Sequence, residues 1–346
     1  MSEFSIYRRL SPALLWMIGS ILCPTAARGA DAAFSDDGFA IYDVSPNNNT
    51  LERVCDEEQS LTEVKIDLGG KRGCFNGITR SDQAGFYLVT CHGIWHWKPG
   101  DKAAESIHRA PQGVSFIDIA CDTQSGQMLI MAYWEDSRGD HTAARLYCME
   151  NRSSRLTPVW LRHLTQPVDC AVFLPDHTLL FGTEGDLWHG LLCTEPPEQD
   201  RPDGRGELVS YRYAPLAERF NYNGTSAERG VQSVAASAGK AYVGMHRMHG
   251  SGSATFERLD LPTTGPKGMF SVPLKNAAKD TVIALQSVEI IDGGEGSCAA
   301  LCGSADGKKI YYTDSSSGKW RHHLCEGDGE PEPMKIKRQP QDDESN

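Results

Sequence analysis

The chain has 346 residues, 40% hydrophobic and 8% aromatic, with 46 Asp and Glu against 34 Lys and Arg, for a formal charge of -12. That balance argues against binding a nucleic-acid backbone, which needs clustered Lys and Arg; the longest basic run is Lys335-Ile336-Lys337-Arg338. It fits a soluble chain and a cationic partner.

Arg8 and Arg9 precede an apolar stretch from Ala13 to Cys23, and the small residues of Ala27-Arg28-Gly29 and Ala30-Asp31-Ala32 follow. This is the layout of a cleavable signal peptide, residues 1–29. The stretch is shorter than the roughly 20 apolar residues of a membrane span. An uncleaved anchor is the alternative. The expectation is a protein that is secreted, held in the secretory-pathway lumen or displayed on the extracellular surface, without membrane insertion. Sequons at Asn48, Asn151 and Asn223 fall in predicted loops and are glycosylation candidates in a eukaryotic secretory pathway.

After the leader, strand-like runs dominate, separated by Gly, Asp, Asn, Ser and Pro. The segment Phe34 to Leu68 reads as a partial unit, in which Asp37-Gly38-Phe39-Ala40-Ile41-Tyr42 matches the third-strand pattern of Cys91-His92-Gly93-Ile94-Trp95-His96. The first clear repeat has Cys74 to Thr79 as inner strand, Phe86 to Cys91 as second and Gly93 to Trp97 as third. Residues 114–163, 167–215, 230–274 and 285–337 repeat the order. Their second strands are apolar runs that follow a turn residue: Phe86-Tyr87-Leu88-Val89 after Gly85, Met128-Leu129-Ile130-Met131 after Gly126, Thr178-Leu179-Leu180-Phe181 after Asp176, Ala241-Tyr242-Val243 after Gly239, and Ile310-Tyr311-Tyr312 after Gly307.

Such self-similarity predicts an all-β six-bladed β-propeller over residues 30–337, with five blades plus an N-terminal partial blade as the alternative. The first and last strands would share a blade and close the ring. Residues 338–346 read as a disordered acidic tail. Trp95, Trp97, Trp134, Trp188 and Trp320 fall on second or third strands, as aromatics packed between blades.

Eleven cysteines are present, one of them, Cys23, in the leader. The even remainder in an exported chain implies disulfide staples. Three spacings recur, Cys121 to Cys148, Cys170 to Cys193 and Cys302 (or Cys298) to Cys325, which suggests one staple per repeat. Inner and third strands lie roughly 10 Å apart, beyond the roughly 7 Å a disulfide spans. Such bridges would form only where a loop folds inward.

Ile310-Tyr311-Tyr312-Thr313-Asp314-Ser315 resembles the YWTD strand of six-bladed propellers. Asn76-Gly77-Ile78-Thr79-Arg80-Ser81-Asp82, followed by Phe86-Tyr87-Leu88-Val89-Thr90, is similar to a strand pair of regucalcin/gluconolactonase-like propellers. Gly294-Glu295-Gly296-Ser297 is similar to the GEGP motif that carries that family's metal-binding Glu. The resemblance implies a channel metal site with Glu295, Asn76 as the family's Asn-Gly ligand and Asp169 as its acid. The Glu-bearing repeat comes last here rather than first, Cys170 replaces a Gly after Asp169, and Ser297 replaces the Pro.

Alignment of the inner strands puts Asn76, Asp118, Asp169 and Gln232 at closely similar places. Oxygen donors around a channel suit a hard cation such as calcium, which could polarise a lactone or ester and activate water. The competing reading has these groups bonding strand backbone. His92 and His96, His246 and His249, and His322 and His323 offer little as ligand pairs; the last two alternate faces on a strand. No GxSxG elbow, HExxH helix or phosphate-binding glycine loop is present.

Two functions follow. The first is a non-enzymatic propeller, a binding or adhesion module that engages an extracellular or surface protein partner, within a complex, through loops on one rim. The second is a calcium-dependent lactonase or esterase with its site in the channel.

Overall fold

The structure, a computed structural model, describes residues 32–45, 49–69, 74–135, 141–150, 152, 155–161, 168–183, 187–193, 206–213, 229–237, 240–247, 253–260, 282–283, 288–295, 298–304, 306–316, 319–326 and 331–339. The leader, residues 1–29, and the sequon residues Asn48, Asn151 and Asn223 lie outside them.

The apolar runs are the middle strands of antiparallel meanders buried on both faces, which is why they read as continuous rather than alternating. The first meander is β1 (Ala32–Phe34), β2 (Ala40–Val44), β3 (Leu51–Cys55) and β4 (Ser60–Val64). The second is β5 (Phe75–Arg80), β6 (Phe86–Thr90), β7 (Gly93–Trp97) and β8 (Glu105–Arg109). Then come β9 (Val114–Cys121), β10 (Gln127–Glu135), β11 (His141–Glu150) and β12 (Thr157–Leu161), and β13 (Cys170–Phe173), β14 (Leu179–Gly182), β15 (Leu187–Cys193) and β16 (Gly206–Tyr213). A fifth group has β17 (Arg229–Ser237), β18 (Lys240–Arg247), β19 (Ser253–Asp260) and β21 (Val288–Glu295), with β20 (Val282–Ile283) beside β16. The last is β22 (Cys298–Gly303), β23 (Lys309–Ser316), β24 (Lys319–Glu326) and β25 (Glu332–Pro333); β26 (Lys337–Arg338) ends the chain of strands.

These strands form five hydrogen-bonded sheets, not the six expected. The third and fourth meanders fuse because β12 and β16 pair in parallel, Val159 opposite Gly206, giving one nine-stranded sheet. Five is the count of the alternative reading, but the N-terminal unit is a complete meander. Ala40 to Tyr42 belongs to its second strand, not a third. The tail boundary also moves, since Arg338 lies in β26, which pairs in parallel with β4.

The innermost strands β1, β5, β9, β13, β17 and β22 contact one another in chain order, and β22 returns to β1. This is a propeller-like ring. Its core is the set of interfaces between neighbours. Phe86 and Leu88 of β6 pack toward the first sheet with Tyr42, Trp95 and Trp97, while Tyr87 and Val89 face the third meander. Met128 and Ile130 point back to that layer, and Leu129 and Met131 point on to Leu179 and Phe181. Tyr42, Phe86 and Trp97 make an aromatic triad, with Tyr42 4.9 Å from Phe86 and 5.3 Å from Trp97 between ring centres. Trp134 departs from the expectation, at 44% exposed near the end of β10.

The turn residues ahead of each second strand have a common physical basis. Ser35, Asp37 and Gly38 are arranged like Ser304, Asp306 and Gly307: each serine hydroxyl donates to Asp37 or Asp306 in turn, and each glycine has φ of 74°. That left-handed backbone favours glycine. His177 fills the corresponding place at φ 68°.

Disulfide staples are not seen among the described residues, and Cys121, Cys148 and Cys302 carry free thiols. The register explains this. Cys121 is opposite Met128, whereas Cys148 is opposite Leu129, so the two sit on opposite faces of one sheet. Cys302 opposes Tyr311 and Cys325 opposes Ile310, with the same result. Cys170 pairs with Gly182 at one end of β14, while Cys193 lies beyond the Gly190 that pairs with Leu179 at the other. Cys121→Ala and Cys148→Ala should therefore destabilise additively in urea titrations, each by about 1 kcal/mol. A shared loss of about 2–5 kcal/mol, not increased in the double variant, would show a bridge.

Candidate functional site

The candidate ligands depend on where β-bulges fall on the inner strands. In β5, Phe75 pairs with Thr90 and Gly77 with Val89, which leaves Asn76 unmatched. In β9 the unmatched residue is Ile117, and in β17 it is Gln232. Asn76 and Gln232 thus share a place, but Asp118 stands one residue further on, level with Gly77 and Ser233.

That shift changes what Asp118 can do. It is fully buried, and its Oδ1 accepts the N–H of Ile119 at 2.7 Å. The same oxygen lies 2.4 Å from where a Cβ on Gly77 would stand. Asn76, next to that glycine, donates from Nδ2 to the carbonyl of Phe116 at 2.7 Å. Asn76 thereby ties β5 to β9, and Asp118 packs against the bare Gly77. Asp169 is buried just before β13, where its N–H donates to Gly182 O at 2.9 Å.

Glu295 is elsewhere. It ends β21, the outermost strand of its sheet, opposite Ser253. Three strand spacings, roughly 14 Å, separate that strand from β17. The inner strand of the last meander begins instead at Cys298. The structure brings Asn76 and Asp118 together and sets Asp169 just before the next inner strand, while Glu295 ends the outermost strand of its own sheet, three residues before β22 begins. Among the described residues, no group of three or more His, Cys, Asp and Glu could hold a metal ion.

Gly77→Ala should lower stability by about 1–3 kcal/mol through overpacking against Asp118. In the double variant with Asp118→Ala much of that loss should return, as read by a double-mutant cycle in urea. Full additivity would mean that the two residues do not touch.

A second buried constellation was missed at the sequence level. It lies where the last sheet meets the first. The Tyr311 hydroxyl on β23 donates to Asp43 Oδ2 on β2 at 2.6 Å and sits 2.6 Å from His322 Nδ1 on β24. With Tyr311 donating to Asp43, the imidazole N–H donates to Tyr311. Among the described residues, Asp43 Oδ1 is buried without a hydrogen-bond partner. Burial pushes the Asp43 carboxyl up to about 7, with the neighbouring Glu52 charge adding to it against the Tyr311 bond. Burial, His323 and Arg338 push His322 down to about 4. His323 points the other way, stacked on Tyr312 at 4.6 Å between ring centres, as the alternation expected. The readable signal was the repeated Ser-x-Asp-Gly turn, which aligns β2 with β23; the partnership of Asp43 with Tyr311 spans too much sequence to be read.

The two shifts act oppositely on stability. Folded Asp43 keeps its proton up to about pH 7, whereas the unfolded group loses it near 3.8. Its contribution is full below that value and is lost as pH rises to 7. Folded His322 stays neutral down to about 4, so its contribution is lost as pH falls from 6.5. Asp43→Asn isolates the first effect. The wild-type stability minus that of the variant should fall from pH 4 to 7, with a slope of up to about 1.4 kcal/mol per pH unit. Denaturation curves at several pH values measure it; a flat difference would mean that Asp43 titrates normally.

Burial raises the Cys148 thiol to about 11 and lowers His189 to about 4, where its Nε2 lies 2.7 Å from the Thr178 hydroxyl. A thiol so raised is a poor nucleophile.

No family model and no curated protein matches the chain. Solved structures do share its fold. A candidate gluconolactonase has a TM-score of 0.52 at 12% identity, over 89% of this chain and 90% of that one. The hydrazine synthase of Kuenenia stuttgartiensis has 0.50 at 14%, over 86% and 83%. A candidate TolB protein from Agrobacterium tumefaciens has 0.50 at 13%, over 80% and 86%. Neighbours so diverse at such low identity establish the propeller fold alone.

Proposed function

We propose that this chain is a secreted or surface-associated binding module that engages a protein partner through one rim, and not a calcium-dependent lactonase or esterase. The observation that carries this reading is the fate of the candidate ligands. Asn76 bonds across to the next inner strand, Asp118 packs on Gly77 and accepts the adjacent Ile119 N–H, and Glu295 stands on the outermost strand of its sheet. Oxygens engaged within the fold are less open to an ion that takes six to eight of them.

The rim fits the same reading. In a meander, the first and third turns lie at the same end. In the first sheet these turns expose Asp36, Asp37, Asp56, Glu57 and Glu58, and Phe39, at 58% exposed, stands among them. An exposed aromatic within an acidic surround suits a cationic protein surface, with the ring as anchor and the charges steering approach. Secretion, glycosylation at the sequons and the extracellular partner belong to the proposal, on the strength of the leader pattern. No helix among the described residues is long and apolar enough to cross a membrane.

Purified chain should melt at the same temperature with calcium and with EDTA, and should not turn over a panel of lactones and aryl esters. A calcium-dependent rise in melting temperature, which mass action requires of a filled site, together with turnover, would overturn the binding reading in favour of the hydrolase.

A further inference from the structure

Residues 331–339 form a strap across the outside of the seam between the last and first sheets. β25 pairs with β24, Pro333 opposite His323, and the Met334 N–H donates to His322 O at 2.9 Å. The strap then crosses to the first sheet. Lys337 N–H donates to Gln59 O at 2.9 Å and Gln339 N–H to Leu61 O at 3.0 Å, and β26 lies parallel to β4. Its side chains alternate as a strand requires. Met334 and Ile336 pack partly buried on the seam core, which contains Phe34 and Leu61 of the first sheet and Leu324 of the last. Lys335 and Lys337 face solvent. Arg338 reaches the Glu52 carboxylate, which is itself 5% exposed.

The surface under the strap has the parts of a strand acceptor. The outer edge of β4 supplies carbonyls, the seam supplies an apolar floor, and Glu52 supplies a buried acid that needs a cation. On the first sheet the strap is held by the β26–β4 pairing, two half-buried side chains and an arginine whose side chain is 63% exposed, and on the last sheet by the β25–β24 pairing and the Met334 N–H.

We propose that this groove is a strand-binding site that accepts the same C-terminal segment from a second copy of the chain. The occupant is chosen by what the groove already holds: an extended segment with apolar residues at alternate positions and a basic residue two further on. Contacts made in trans are identical to those made in cis, so exchange is governed by concentration. The basic strap also complements the acidic remainder of the chain, which favours a copy of itself over an acidic stranger.

The probe is a fluorescent peptide of residues 331–346, added to full-length protein that carries Ile336→Asp. That change spoils the strap and spares the groove. The peptide should bind this variant saturably and raise its melting temperature. Wild type should bind at least about 10-fold more weakly, because its own strap competes at high effective concentration. Peptide with Arg338→Glu should not bind. If Ile336→Asp does not melt cooperatively, Arg338→Ala takes its place. No binding to a folded strap variant, or equal binding to wild type, would overturn the site. Sedimentation tests the second-copy occupant: wild type, concentrated and briefly warmed, should yield dimers, and Ile336→Asp should not. Wild type that stays monomeric, or a variant that dimerises equally, would overturn exchange between copies.

Discussion

A ring of sheets must close, and every other contact in this molecule depends on how the last sheet meets the first. Elsewhere neighbouring units also follow one another in the chain. At the closing seam the partners are far apart in sequence, and docking them costs loop-closure entropy that local contacts do not offset. The seam is correspondingly dense. Its apolar core takes Phe34, Ile41 and Leu61 from one side and Cys302, Tyr311 and Leu324 from the other. Tyr311 bonds Asp43 across it, and the strap holds it from outside. The relay does more than add a bond. A buried carboxyl that keeps its proton avoids the cost of a buried charge while still fixing the angle between two sheets.

The same economy of polar groups explains the channel. In an inner strand, a bulge lets one residue turn away from the ladder. Asn76 uses this freedom to reach the next strand's backbone, and Gly77 keeps its own surface bare so that Asp118 fits against it. Asn76 at the centre thus satisfies a backbone carbonyl of the next inner strand, and Asp118 an N–H of its own strand. The rim is different: its first-sheet turns leave Phe39 and several acids facing water.

How much was legible follows from which forces are local. The second strands were readable because burial on both faces makes an unbroken apolar run, as at Met128 to Ala132, and because the left-handed turn before them favours a glycine such as Gly126 or Gly307. Those signals gave an all-β propeller. What failed depended on register. Ala40 to Tyr42 carries the same residue types as a third strand, and only pairing with β1 makes it a second. Glu295 was assigned to the channel because Gly294-Glu295-Gly296-Ser297 resembles the GEGP motif, whereas its backbone pairs with Ser253 on the outermost strand of a sheet. The cysteine spacings suggested staples, yet a one-residue offset put Cys121 and Cys148 on opposite faces. Parallel pairing of β12 with β16, which merged two meanders into one sheet, leaves no mark in sequence.

The central claim is that the ring is one cooperative body closed by the seam between β1 and β22. Native-state hydrogen exchange followed by mass spectrometry tests it directly, because it reports the opening free energy of each strand. Peptides covering β1–β2 and β22–β24 should exchange together, only on global unfolding, and with the same denaturant dependence as β9–β10. Exchange of β22–β24 at markedly lower free energy, while β5–β10 stay protected, would show an open ring whose last sheet is only loosely docked, and would contradict the account.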